Sequence, residues 1–224
     1  MRKFFALAMM LLATMCVRAQ YEEGTFTLQP KIGFVASTLT NMPNLPVTET
    51  LDLKSSVFPG ALMGVEGEYQ VADRLGIALG LNYSLQGGRW NDYFRPQMNI
   101  TKTMIKLGYI NMPLVANFYI VGGLAVKTGI QFSFLTHARS TSRLAFKDAD
   151  GKVRMDNYDE NVKSECNGVD FAIPVGLSYE FGNHLIIDAR YHFSLRRLNK
   201  VIETDEPNMF NRVFMLTLGY KIGL

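Results

Sequence analysis

Eight segments of this 224-residue chain alternate apolar and polar residues with a period of two, each over nine or more positions. They fall at 28–37, 61–70, 75–85, 110–118, 124–134, 169–181, 185–195 and 214–224. The seventh is typical. Leu185, Ile187, Ala189, Tyr191, Phe193 and Leu195 hold one parity; Ile186, Asp188, Arg190, His192 and Ser194 hold the other. A period of two describes a strand whose faces meet different surroundings. No segment of helical period and no internal repeat competes with it. The chain is therefore expected to be all-β. Asp188, His192 and Ser194 share a face, so they are either a catalytic set or the wet side of a wall.

The segments are longer than the five or six residues usual for soluble strands. One parity is bulky and apolar. The other is Gly, Ser, Asn and charge, which suits a narrow barrel with lipid outside and polar side chains within. The connections alternate as well. Those at 38–59, 86–103, 137–167 and 196–211 are long; those at 72–74, 121–123 and 182–184 are short. Outer-membrane barrels have long outer loops and short periplasmic turns. The expectation is an eight-stranded, antiparallel, up-and-down transmembrane β-barrel, with both termini periplasmic and the long loops extracellular. Tyr69, Tyr83, Tyr179, Phe181, Tyr191, Phe193 and Tyr220 lie on the apolar parity as candidate members of an interfacial aromatic girdle.

The N-terminus agrees with export. Arg2 and Lys3 precede an apolar run from Phe4 to Val17, and Val17 and Ala19 are small residues at a cleavage site. Residues 1–19 read as a cleavable signal peptide and 20–224 as the barrel domain. Cys16 leaves with the signal. Cys166 then stands alone, so no intramolecular disulfide forms. The full chain carries a formal charge of +3. Losing Arg2, Lys3 and Arg18 brings it to about zero, which does not suggest a nucleic-acid partner. No Cys or His spacing suggests a metal. Asp148 to Gly151 resembles the start of a calcium loop, but no bidentate Glu follows at the required spacing. No cofactor is expected.

Several short pieces resemble the PorT-like outer-membrane β-barrel proteins of gram-negative bacteria. They are Tyr109-Ile110-Asn111-Met112-Pro113-Leu114, Gly129 to Ser133, Asp170 to Gly176, and Asp188-Ala189-Arg190-Tyr191 with Leu195 and Asn199. The closing piece runs from Asn211-Arg212-Val213-Phe214 through Gly219-Tyr220-Lys221. The resemblance covers nearly all of 20–224. It implies an outer-membrane barrel with a structural, binding or secretion-accessory role, and a link to type IX secretion. The partners implied are outer-membrane lipid and lipopolysaccharide, the barrel assembly machinery, and a secretion-system or surface protein. One departure is Leu224, where such barrels generally end in an aromatic residue.

The barrel reading turns the inward charges into one group: Lys31, Glu66, Glu68, Lys127, Asp170, Glu180, Asp188, Arg190, His192 and Lys221. Buried charges must pair or stay hydrated. The expectation is a structural ion-pair network with Arg190 as its hub and Asp170 and Asp188 as its acceptors, because a guanidinium can grip carboxylates on two sides. Arg89, Trp90, Tyr93, Phe94 and Arg95 form a candidate surface-binding loop, with membrane anchoring by Trp90 as the alternative. No catalytic residue is assigned. The alternative enzyme reading rests on His192-Phe193-Ser194, which resembles the His-x-Ser pair of lipid A 3-O-deacylases. Leu195 replaces the Asn that follows in that family, and no third carboxylate partner is fixed, although Glu203 and Glu206 lie nearby in the next loop. A small-solute channel and a soluble ligand-binding barrel are the remaining readings.

Overall fold

The computed structural model describes residues 22–42, 45–48, 51–94, 98–147, 152–200 and 207–224. The signal segment 1–19, Arg95, Glu203, Glu206 and the 148–151 stretch lie outside the described residues. Eight strands build a wall: β1 Phe26–Thr40, β2 Phe58–Ala72, β3 Leu75–Trp90, β4 Met98–Val121, β5 Leu124–Lys147, β6 Val169–Glu180, β7 Leu185–Ser194 and β8 Phe210–Tyr220. Each pairs antiparallel with the next. β8 closes on β1 from Lys31↔Gly219 to Thr40↔Phe210. The wall is a closed ring, which leaves it without an edge.

The two parities take opposite faces in all eight strands. On β1, Thr27, Gln29, Lys31, Val35 and Ser37 are buried, whereas Ile32 and Phe34 are exposed. On β8, Asn211, Val213, Met215 and Thr217 are buried, whereas Phe214, Leu216 and Leu218 are exposed. Ile32 is 64% exposed and Met63 62%, while Glu66 and Asp188 are each 2% exposed. Such an inside-out distribution is stable only when lipid covers the apolar belt. Aromatic residues flank the belt. Tyr179 packs edge-on against Phe181 at 4.9 Å near one end, and Tyr191 against Phe193 at 4.6 Å toward the other.

Short turns close one end of the barrel. Asp73 and Arg74 join β2 to β3, and Gly122 and Gly123 join β4 to β5. Gly122 has φ +53°, as a tight hairpin turn requires. His184 takes φ +65° in the turn after β6. Both ends of the wall meet here, with Leu224 N–H donating to the Phe26 carbonyl at 3.0 Å.

The opposite end differs from the expected loops. Much of 86–103 and 137–167 is strand, not loop. β3 runs on to Trp90, β4 starts at Met98, and β5 continues to Lys147. Another strand, Val153–Asn161, pairs with Arg139 to Lys147. Together these form a ribbon that continues the wall beyond its apolar belt. The outer strand of the ribbon, Val153–Asn161, is exposed at every residue, so nothing there selects apolar residues at alternate positions and the period-two signal disappears.

The lipid belt makes a direct prediction. Leu216→Arg should destabilise the barrel by about 2–4 kcal/mol, the cost of a cation at mid-membrane depth. Met155→Arg on the ribbon should change stability by less than about 0.5 kcal/mol. Urea unfolding in lipid vesicles measures both. Equal small effects would mean that lipid does not cover the belt.

Candidate functional site

The inward parity fills the barrel in tiers. The central tier draws on four strands. Lys31 Nζ on β1 lies 2.5 Å from Glu66 Oε2 on β2. Arg190 Nη2 on β7 donates to Glu66 Oε1 at 2.8 Å and to Asp188 Oδ2 at 2.6 Å. Arg190 Nε donates to Asp188 Oδ1 at 2.9 Å. Lys127 Nζ on β5 reaches Asp188 Oδ2 at 3.0 Å and Glu66 Oε1 at 3.5 Å. Glu66 therefore holds three cations, and Asp188 holds two.

A second tier lies toward the turns. Lys221 Nζ meets Glu68 Oε2 at 2.9 Å and Glu180 Oε2 at 3.5 Å. Tyr119 O–H donates to Glu68 Oε1 at 2.5 Å, and Lys221 Nζ donates to Tyr119 Oη at 2.8 Å. His184 Nδ1, on the turn, lies 3.3 Å from Glu180 Oε1. Across both tiers Lys31, Lys127, Arg190 and Lys221 face Glu66, Glu68, Glu180 and Asp188. Within these two tiers, four cations face four carboxylates.

Neutral groups fill the lumen on the other side of the central tier. Asn111 Nδ2 on β4 donates to Ser84 Oγ at 2.8 Å, and Gln86 Nε2 to the same oxygen at 2.7 Å. Gln131 Nε2 donates to Ser133 Oγ at 3.0 Å, and Asn211 Nδ2 to Gln86 Oε1. The gap lined by Lys31, Asn82, Arg190, His192 and Thr217 has a volume of about 10 Å³. That is room for about one water.

An apolar cluster closes the ribbon end. Leu39, Met42, Trp90, Ile100, Leu107, Tyr109, Leu135, Ala138, Cys166 and Leu198 pack together. Gly87 sets this up. Its φ is +149°, its N–H donates to the Ser37 hydroxyl at 2.8 Å, and a side chain there would run into the Ile105 carbonyl, so only glycine lets the two strands approach. Burial pushes the Cys166 thiol up to about 11, so it stays protonated and packs as an apolar residue.

Three sequence expectations need correction. Arg190 does bind Asp188, but its second acceptor is Glu66, not Asp170. Gly176 lies opposite Arg190 in the register, six residues along β6 from Asp170. At about 3.3 Å per residue, that separation is far beyond a side chain's reach. Asp170 instead accepts the Ser194 hydroxyl. His192 is in the lumen but outside the ion pairs, and neither ring nitrogen makes a hydrogen bond. Trp90 is buried in the apolar cluster, not displayed on a surface loop or at the membrane interface. Of its neighbours, Tyr93 packs against the same cluster, Arg89 lies 3.6 Å from Asp92, and Phe94 is 66% exposed. Sequence reading missed Tyr119, although it continues the inward parity of Asn111, Pro113, Val115 and Asn117.

The comparisons with known proteins fit this geometry. Residues 18–199 match the family model described as "Outer membrane protein beta-barrel domain". The chain belongs to this outer-membrane β-barrel family. Its members imply residence in the outer membrane. No curated protein matches the chain. Among solved structures, it is similar to Ail, the attachment invasion locus protein of Yersinia pestis, solved with the heparin analogue sucrose octasulfate. The identity is 13%, over 89% of this chain and 99% of that one, with a TM-score of 0.45. It is similar to the Neisserial surface protein NspA at 15% identity, over 89% of this chain and 100% of that one, with a TM-score of 0.43. For OprG of Pseudomonas aeruginosa the values are 13%, 92%, 99% and 0.40.

The ion pairs of this outer-membrane barrel carry an unequal load. Glu66→Ala should destabilise it by about 3–5 kcal/mol, because it strands three buried cations. Ser194→Ala should cost about 1 kcal/mol. Unfolding midpoints in vesicles compare them; equal costs would refute the central place of Glu66.

Proposed function

We propose that this protein is a plugged outer-membrane barrel of the PorT-like kind. It works through its ribbon or its periplasmic turns, in a binding, adhesive or secretion-accessory role. The observation that carries this reading is the filled lumen: two ion-pair tiers, a layer of hydrogen-bonded amides and hydroxyls, and an apolar cluster across the ribbon end. The short turns and the meeting of both barrel ends support periplasmic termini and an extracellular ribbon. The reading includes lipopolysaccharide and surface or secreted proteins as the class of partner, the assembly machinery for insertion, and a link to type IX secretion.

The same reading makes the protein non-enzymatic. The Ser194 hydroxyl is engaged by Asp170 and by the Arg196 carbonyl, and His192 makes no hydrogen bond with it. A nucleophile pair needs that contact. A channel is disfavoured by the packed interior.

Planar-bilayer recording of the purified barrel should give no resolved unitary conductance; steady channels would overturn the plug. Lipid A mass spectra should be identical in cells carrying wild type and His192→Ala. A change confined to wild type would revive the deacylase reading. Deletion of the gene should alter the profile of secreted or surface proteins; an unchanged profile would exclude the secretion role.

A further inference from the structure

The ribbon ends in an unusual edge. Val153–Asn161 pairs through one side with β5, from Val153↔Lys147 to Asn161↔Arg139. Among the described residues no strand pairs with its other side. All nine residues are exposed, including Val153, Met155 and Tyr158. Side-chain contacts also tie it to the neighbouring strand: Arg139 Nη1 lies 3.0 Å from Asp159 Oδ2, and Arg143 Nε donates to Asn157 Oδ1 at 2.9 Å. The ring removes edges from the wall, yet the ribbon ends in a nine-residue edge. Backbone groups along such an edge can bind another strand.

We propose that this edge binds a second copy of itself, strand to antiparallel strand, about a two-fold axis at Asn157. The charge pattern selects that arrangement. Centred on Asn157, the pairing sets Arg154 opposite Glu160 twice, Asp156 opposite Tyr158 twice, and Met155 opposite Asp159 twice. No like charges face each other. A two-fold axis normal to the sheet lets only residues of one parity oppose each other, so the nearest alternatives centre on Asp156 or Tyr158. The first opposes Asp156 to Asp156, and the second opposes Asp156 to Glu160 twice. Like charges directly opposite destabilise a strand pair. Charge on an edge ordinarily keeps other strands away; here the pattern matches its own copy.

The direction of the strand fixes how two barrels would sit. Val153–Asn161 runs from the far part of the ribbon back toward the barrel, antiparallel to β5. An antiparallel copy has its own barrel beyond the tip of the first ribbon. The two barrels therefore face each other, ribbon against ribbon, in two apposed membranes. Copies side by side in one membrane would pair parallel and set like residues together, Asp156 and Glu160 included. One nine-residue contact is small for a stable dimer. Many copies across two surfaces act together, and avidity makes up for the small area. The structure thus assigns the ribbon a homophilic, surface-to-surface contact, which rests on the extracellular placement proposed above.

Proteoliposomes carrying the full barrel, labelled in two colours and mixed, test it. Wild type should tether the two populations. Glu160→Arg should reduce tethering about tenfold, because two cross-strand ion pairs become two repulsions, and so should Arg154→Glu. The double variant Arg154→Glu/Glu160→Arg should restore it. Asn157→Cys in a Cys166→Ser background should form oxidised dimers between vesicles, since facing residues sit within disulfide range. Heat-modifiable gel mobility confirms that each variant is folded. Folded wild type that fails to tether, or dimers formed only within one vesicle, would overturn the proposal. A membrane-impermeant maleimide on intact cells reads the orientation separately. Labelling of Asn157→Cys without tethering defeats self-association alone. No labelling of intact cells defeats the extracellular placement beneath it.

Discussion

The structure depends on one constraint: charges sealed inside a wall that lipid surrounds must be neutralised within the wall. Lipid offers them nothing, and the lumen has little room for water. Glu66 meets this demand by standing among Lys31, Lys127 and Arg190, and Asp188 by taking both Arg190 and Lys127. These contacts join β1, β2, β5 and β7 across the interior. Strand pairing alone ties each strand to its two neighbours. The Arg190–Glu66, Lys127–Glu66 and Lys127–Asp188 pairs tie strands that share no ladder, which gives the ring a fixed cross-section.

The same demand explains why the inward face is graded. Long cations and carboxylates fill the half nearer the turns. Shorter amides and hydroxyls follow at Ser84, Gln86, Asn111 and Gln131. Apolar residues take over at Trp90, Leu107 and Leu135, beyond the lipid belt. There the wall is no longer hemmed in by lipid on the outside, and an ordinary apolar core can form inside it. The result is a filled lumen on the side of the turns and a projecting ribbon at the other end.

Sequence made some of this plain and hid the rest for physical reasons. The facing of Lys31, Glu66, Asp188 and Arg190 was legible, because lipid and lumen impose opposite chemistry on alternate residues. The Arg190–Asp188 contact was legible because the two residues are neighbours on one strand face. The Arg190–Glu66 contact was not. It crosses from β7 to β2, past β8 and β1, and depends on the size and register of the closed ring. Trp90 shares the inward parity of Asn82, Ser84 and Gln86, but Gly87, Gly88 and Arg89 interrupt the alternating chemistry before it, so the stretch reads as loop. The outer strand of the ribbon reads as loop because Val153–Asn161 is wetted on both sides and carries no alternation.

A double-mutant cycle on Glu66 and Arg190 tests the central claim most directly. Glu66→Gln, Arg190→Gln and the double variant would be unfolded by urea in lipid vesicles. The expected coupling is about 1–3 kcal/mol, with the double variant costing clearly less than the sum of the single ones. Costs that add to within about 0.5 kcal/mol would contradict a barrel held across its interior by these charges.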